Sequence, residues 1–249
     1  LYDYGMLDLA KHLLRQVLDE LRPYLRAGTA VVGIEPSCVA VFRDELPNLF
    51  PHDRDARRLA GQARMLEEFL VDEGWRPPPL RGKAVVHGHC HHKAIMGLDA
   101  EAELLDAMGL NHELPATGCC GMAGSFGFEA GEKYEVGKAA GERVLLPAVR
   151  EAAEDTLIVA DGFSCRTMIE QETDRRALHV AEVLRMAMDG QAPGRARPED
   201  ALGDEATVGD GRPPPGRGVA AGALAAAAGA AAWGLARRSR GRLRSRAAG

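Results

Sequence analysis

The chain has 249 residues, of which 46% are hydrophobic and 27% charged, and a formal net charge of −5. That length buries one large core or two small ones in an ordinary globular composition, and the negative balance speaks against a broad nucleic-acid-binding surface, so no nucleic-acid partner is expected. No charged n-region followed by an apolar stretch opens the sequence. The 5 cysteines, an odd number with two of them adjacent, suit metal binding or redox work in a reducing, cytoplasmic setting better than a disulfide framework.

Leu1 stands already inside a helical pattern, in which Leu7, Leu14, Val17, Leu18, Leu21 and Leu25 share one face. With no initiating Met, the chain reads as the C-terminal part of something longer. The pattern predicts a helix over 5–26, a short apolar strand at Ala30–Ile34, a helix starting near Cys38 and another over 54–73. A strand at Lys83–His87 then opens directly into Gly88-His89-Cys90-His91-His92-Lys93, followed by a helix over 99–108. After Leu110–Leu114 comes a glycine-rich loop carrying Thr117-Gly118-Cys119-Cys120-Gly121, then a helix over 131–152. A last strand, Thr156–Ala160, feeds Asp161-Gly162-Phe163-Ser164-Cys165, and helices over 165–173 and 177–188 follow. Strands alternating with helices imply a parallel α/β sheet, with cysteine motifs at strand ends, where such sheets bind ligands.

The segment Thr29–Cys38 aligns without a gap on Thr156–Cys165, each an apolar strand ending in Ser-Cys and passing into a helix. Two copies of one module are implied. Only the second has the upstream His-Cys-His and Cys-Cys-Gly motifs, so the first copy is read as truncated. The expected organisation is a remnant of the first repeat over 1–75, a second cysteine-rich repeat over 76–188, a disordered Pro/Gly/Arg/Asp-rich linker over 189–218 and an Ala/Gly-rich, then Arg-rich, tail over 219–249. The apolar part of that tail beside its arginines has the outline of a membrane anchor with its positive end inside. Alanine and glycine supply little transfer energy, so a low-complexity tail is the competing reading. An anchor would place the protein at the inner face of a membrane.

An iron–sulfur cluster needs thiolates converging from loops that also bring N–H groups to the sulfurs. Cys90, Cys119, Cys120 and Cys165 supply four thiols, while Gly118, Gly121 and Gly124 allow close backbone approach. Adjacent cysteines fit poorly around one tetrahedral ion, which turns the choice from zinc towards a multinuclear cluster. His89, His91 and His92 can ligate, or can donate to sulfur from a second layer. Lys93 can lower thiol pKa values or attract an anion. The bland alternatives are buried apolar cysteines with Cys119/Cys120 as a redox pair, Arg43-Asp44-Glu45 as a solvated helix face, and Phe126-Gly127-Phe128 as either a shield or plain packing.

At these residues the sequence resembles the cysteine-rich CCG domain found in heterodisulfide reductases, in the iron–sulfur subunits of glycolate oxidase and anaerobic glycerol-3-phosphate dehydrogenase, and in lactate-utilisation proteins, over about 1–188. Cys90, Cys119-Cys120-Gly121 and Cys165 match the second copy of the pattern, and Cys38 matches the last cysteine of the first. The wording around the motifs is most similar to the C-terminal part of fused FAD-linked oxidases of the D-2-hydroxyglutarate and D-lactate dehydrogenase kind. The resemblance implies a Rossmann-like duplicated fold, FAD on a flavin domain upstream of Leu1, a ferredoxin-like domain beside it, and electron flow to a quinone or an electron carrier. It departs from the family where Glu35 and Gly162 replace the first cysteine of each Cys-x-x-Cys. Four thiolates remain for a [4Fe–4S] cluster, which speaks against the noncubane type, with Cys38 in the damaged first site or beside the cluster. The resemblance thus implies an iron–sulfur electron-transfer module of a 2-hydroxyacid dehydrogenase. The alternatives are a zinc-stabilised binding module and a cluster that itself reduces a disulfide or quinone. No catalytic residue is assigned.

Overall fold

The computed structural model describes residues 1–2, 4–191 and 197–202. It opens with helix α1 (Leu7–Arg26), which buries Ala10, Leu18 and Leu25. Strand β1 (Val31–Gly33) leads into α2 (Pro36–Ala40), one turn of π-helix at Val41–Glu45 and α3 (Leu46–Leu49), which continue one another without a break. Helix α4 (Arg54–Gln62) begins at Asp53, whose carboxylate accepts from the Asp55 N–H at 2.8 Å, as an N-cap aspartate does.

The sequence predicts one helix over 54–73, but the chain straightens into strand β2 (Ala63–Met65) before α5 (Leu66–Asp72). Arg43 imposes this. Its guanidinium donates to the Ala63 carbonyl at 2.9 and 3.1 Å and to Glu68 at 2.9 Å, and Glu68 in turn accepts from the Met65 N–H at 2.8 Å. Arg43 is therefore part of the packing, not of a solvated face.

Strand β3 (Gly82–Val86) is followed by a π turn at His92–Met96, α6 (Asp99–Met108), which Gly109 ends at φ +80°, and strand β4 (Leu110–Glu113). A 3-10 turn at Phe126–Phe128 precedes α7 (Glu132–Gly141) and α8 (Leu145–Glu151). One helix over 131–152 is expected from periodicity; Pro147 lacks the N–H that would bond back to Arg143 and crowds that carbonyl, so the pattern is cut and α8 starts anew with Pro147 in its first turn. Strand β5 (Thr156–Val159), α9 (Phe163–Glu172), α10 (Val180–Met188) and a 3-10 turn at Pro198–Leu202 complete the described chain.

The strands are all parallel, as expected, and lie in two short sheets, β1-β2 and β4-β3-β5. In the larger sheet Ala84, Val86, Leu157 and Val159 face α6 and α10, and Val85 and Ile158 face α8 and α9. Burial on both faces explains why β3 and β5 read as unbroken apolar runs. A separate core joins α1 to α4 and β2 through Leu18, Leu25, Leu59 and Met65. The aligned segments share their local geometry: α2 and α9 start at the matching residues Pro36 and Phe163, each after an extended residue, Glu35 or Gly162.

Within the stretch that composition reads as linker, Pro198–Leu202 docks on the domain. Glu199, 2% exposed, pairs with the buried Arg175 at 2.6 Å, and the Glu199 carbonyl accepts from Arg176 at 2.7 Å. Residues 203–249, with the rest of that stretch and the anchor-like tail, lie outside the described residues. No helix among the described residues is long and apolar enough to cross a membrane.

Candidate metal centre

The carboxyl ends of the parallel strands point towards one region, the usual ligand-binding end of an open α/β sheet. Beyond β3 lies Cys90, beyond β4 the loop with Cys119 and Cys120, and beyond β5 the first turn of α9 with Cys165. Cys38, in the first turn of α2, comes to the same place from the smaller sheet. Cys38, Cys90, Cys119 and Cys120 line one cavity of about 630 Å³, together with His89, His91, Ala123 and Gly124. Cys165 lies behind it, 1% exposed and packed with Cys120. All five are free thiols.

The loop after Cys120 is bent so that its N–H groups turn back on the sulfurs. Gly121, Ala123 and Gly124 have φ of +98°, +42° and +65°, a run of left-handed residues that makes a backbone concavity for negative charge. The Gly121 N–H donates to Cys119 Sγ at 3.3 Å. The backbone N–H groups of Met122 and Ala123 also lower the pKa values of Cys120 and Cys119 respectively. Ala123 has no glycine freedom, and an L-residue held left-handed costs about 1–2 kcal/mol, so the surroundings must hold this bend.

They do so by backbone contact with α7. A Cβ on Gly121 would stand 1.8 Å from the Gly137 carbonyl oxygen, and one on Gly141 would stand 2.9 Å from that of Cys120. Gly137 and Gly141, one turn apart, form a groove for the loop, and their spacing of four was the signal available in the sequence. At Gly118, by contrast, a Cβ would meet nothing within 4 Å. Its carbonyl accepts from Lys93 at 2.9 Å, and the Thr117 carbonyl accepts from the same ammonium. Lys93 thus staples the loop instead of facing the thiols.

The four thiols are close enough to act on one another, Cys119 on Cys90 and Cys120, and Cys120 on Cys165. Contact with Cys119 first, then burial and other thiols, pushes Cys90 and Cys120 well above the usual thiol range, whereas Cys119 is held far below it by Cys120, Cys90 and the loop N–H groups. Cys165 is lowered to about 5, by Cys120 first and then, against its burial, by His87 and His89. Among the described residues, no three of these sulfurs lie mutually within 4.8 Å.

The histidines divide by position. His87, 2% exposed, holds Thr117 Oγ1 through Nδ1 at 2.8 Å, with Cys165 close by. His89, 5% exposed, accepts the His91 N–H at 3.2 Å through Nδ1, and burial lowers its pKa. His91 stands beside it at the cavity, with ring centroids 5.3 Å apart. His92 turns away into the interior at 1% exposure. A Cβ on Gly162 would stand 2.4 Å from His89 Cδ2 and 3.2 Å from Cys165 Sγ, so the His89 ring fills the space a side chain at Gly162 would enter.

Two tethers missed by sequence reasoning join the smaller sheet to the larger. Glu35 Oε2 accepts the Phe163 N–H at the start of α9 at 2.8 Å. His179, whose Nδ1 accepts from Ala181 at 2.9 Å, reaches the Ile34 carbonyl with Nε2 at 2.6 Å.

Converging thiols, a concave loop turning an N–H group on one of them and an adjoining cavity form a donor set that can hold a metal centre. No family model matches the chain. Lactate utilization protein A of Lysinibacillus sphaericus (strain C3-41) is 33% identical to it over 174 residues, 62% of this chain and 72% of that protein. The chain belongs to the lactate utilization protein A family. It is also similar to a subunit of the anaerobic glycerol-3-phosphate dehydrogenase of Escherichia coli (strain K12), 30% identical over 167 residues, which are 65% of this chain and 41% of that relative. A D-2-hydroxyglutarate dehydrogenase of Pseudomonas putida is 26% identical over 170 residues, 66% of this chain and 16% of that enzyme. The match thus spans less than half of the length of those two proteins.

Proposed function

We propose that this chain is the iron–sulfur electron-transfer module of an FAD-linked 2-hydroxyacid dehydrogenase, of the D-lactate, D-2-hydroxyglutarate or glycolate oxidase type. Cys90, Cys119, Cys120 and Cys165 would hold a [4Fe–4S] cluster, and Cys38 would stand at its mouth. When bound, such a cluster takes up and releases single electrons. In the full protein these would come from a flavin on a preceding domain, through a ferredoxin-like domain, and leave to a quinone or an electron carrier. The two strand–Ser-Cys–helix segments are copies of one unit, the first incomplete.

The observation that carries this reading is the convergence of Cys90, Cys119 and Cys120 on one cavity at the strand ends, with Cys165 packed behind them against Cys120. Thiolates bound about 2.3 Å from a single zinc stand roughly 3.8 Å from one another, a closeness that no three of these sulfurs reach together. A multinuclear core spreads its ligands over several metals and suits a strung-out set. The Gly121, Met122 and Ala123 N–H groups offset charge on the sulfurs, Cys120 first and then His87 and His89 lower the Cys165 thiol, and the cavity leaves one side approachable. The names of the relatives, which are dehydrogenases and a lactate-utilisation protein, agree with a place in hydroxyacid oxidation.

The test is anaerobic purification with iron and acid-labile sulfide counted per chain, and an EPR spectrum before and after dithionite. About four of each are expected, with a signal on reduction that Cys119→Ser abolishes while the far-ultraviolet circular dichroism stays unchanged. Zinc at one per chain without sulfide would overturn the reading.

A further inference from the structure

Beneath the thiol cavity the protein buries a second group of ligating side chains that includes no cysteine. Glu67 on α5 is 0% exposed, His92 at the π turn 1%, Glu101 on α6 2% and Asp161 after β5 2%. His92 Nε2 lies 3.0 Å from Glu67 Oε1, and its Nδ1 lies 4.0 Å from Glu101 Oε2. One ligating atom from each of Glu67, His92 and Asp161 falls within 4.8 Å of the other two.

These groups do not satisfy one another. Both oxygens of Glu67, both of Glu101, Oδ2 of Asp161 and Nδ1 of His92 lack a hydrogen-bond partner among the described residues. The 3.0 Å approach of His92 to Glu67 is close but not aligned as a hydrogen bond. Asp161 is fixed by its other oxygen, since Oδ1 accepts from the Val180 N–H at 2.8 Å. Buried charges are paired or bound to metal, because unpaired carboxylates cost several kcal/mol each. Three carboxylates face one imidazole, and the second imidazole nearby, His179 at 3.7 Å from Asp161 Oδ1, spends Nδ1 as an acceptor for the Ala181 N–H and Nε2 on the Ile34 carbonyl, so it brings no N–H to them. Ligands about 2.0–2.2 Å from one ion stand roughly 2.9–3.5 Å apart, the separation His92 and Glu67 already have.

We propose that Glu67, His92 and Asp161 bind one divalent first-row cation of the manganese or zinc class, with Glu101 orienting His92 through Nδ1–H. One imidazole and two carboxylates are an oxygen- and nitrogen-rich set that suits such ions over the soft metals that thiolates select. Two ligand carboxylates balance the charge of the ion. Glu101, 4.0 Å from His92 Nδ1, lies on the side where the outer partner of a ligating histidine belongs and would close to hydrogen-bond distance on binding. The ligands come from α5, the turn after β3 and the end of β5, so the ion clasps the smaller sheet's side of the domain onto the larger sheet. Their burial makes this a structural site, and the assignment is independent of the iron–sulfur reading.

Mn2+ is the probe, added to the anaerobically purified chain, with bound manganese counted by EPR and total metals counted against iron and sulfide. We expect one Mn2+ per chain, or one co-purified divalent ion in excess of sulfide-matched iron that Mn2+ exchanges. Bound Mn2+ should raise the unfolding temperature. Glu67→Gln should weaken Mn2+ binding at least tenfold and remove that thermal response, Glu101→Gln should weaken it about tenfold, and Cys119→Ser should leave it unchanged. Should Glu67→Gln not fold, the same loss is read in Asp161→Asn. A wild-type chain that holds no such ion and does not respond to Mn2+ overturns the proposal, as does binding that survives Glu67→Gln or disappears in Cys119→Ser.

Discussion

The segments Glu35–Cys38 and Gly162–Cys165 share an aligned sequence and a helix start, yet they put their cysteines into opposite settings. Both place Ser-Cys in the first turn of a helix that follows an extended residue. Cys38 is exposed, and its thiol is raised, by partial burial first and then by the carboxylate of Glu35. Cys165 is buried and lowered to about 5 by Cys120 and His87. A helix N-terminus favours an anion, but it is common to both segments and cannot make the difference. What differs is the neighbour: an acid at one site, and a thiol with two histidines at the other.

The largest expected effect comes from removing each cysteine in turn. Cys165→Ser should hold less than about a tenth of the wild-type iron and sulfide, because a cluster would lose one of four thiolate ligands. Cys38→Ser should retain nearly all of both. Iron and sulfide analysis of the two variants decides the matter. The opposite ranking would mean that Cys38, which lines the cavity, is a ligand and that Cys165 is a packed thiol behind it.

This contrast also marks what could be read from the sequence. The apolar runs of β1, β3 and β5 and the cysteine motifs at their ends were legible, in β3 and β5 because burial on both faces favours uninterrupted apolar residues, in β1 although Val32 is exposed. Strand β2 was not, since Ala63-Arg64-Met65 is extended through pairing with β1 and through Arg43, both 20 or more residues away in sequence. Nor was β4, whose Asn111, His112 and Glu113 are polar and take strand form by pairing with β3. Of the buried carboxylates, Glu101 left a trace: with Leu104, Leu105 and Met108 it completes the buried face of α6, an acid on an apolar stripe. Glu67 sits in a helix of 7 residues, too short to define a face.

A smaller effect should come from giving Gly162 a side chain. At φ −70° the backbone accepts any residue, so Gly162→Ala acts chiefly through the 2.4 Å approach of its Cβ to His89 Cδ2, with the 3.2 Å approach to Cys165 Sγ second. Overpacking of this kind costs about 1–3 kcal/mol. His89→Ala in the same chain should recover most of the loss, and denaturant unfolding of the four members of that cycle measures the coupling. Additive losses would show that His89 is not the obstacle, and that the glycine is required for another reason.

The smallest effect tests Glu35, the acid that sets the first segment apart. Its Oε1 accepts from Ser37 Oγ at 2.9 Å and its Oε2 from the Phe163 N–H at 2.8 Å, so one carboxylate caps the helices of both segments, including α9, whose own preceding residue is a glycine. Glu35→Ala removes both bonds and should lower stability by about 1 kcal/mol, the usual loss for a cap. Glu35→Gln keeps an acceptor and should cost a few tenths at most. Both remove the negative charge that raises Cys38. The thiol pKa must then fall, more thiolate is present at a given pH, and alkylation of Cys38 should quicken in the two variants alike. If instead the rate rises only in Glu35→Ala, loosening of the α2 start, and not the charge of Glu35, separates the two cysteines.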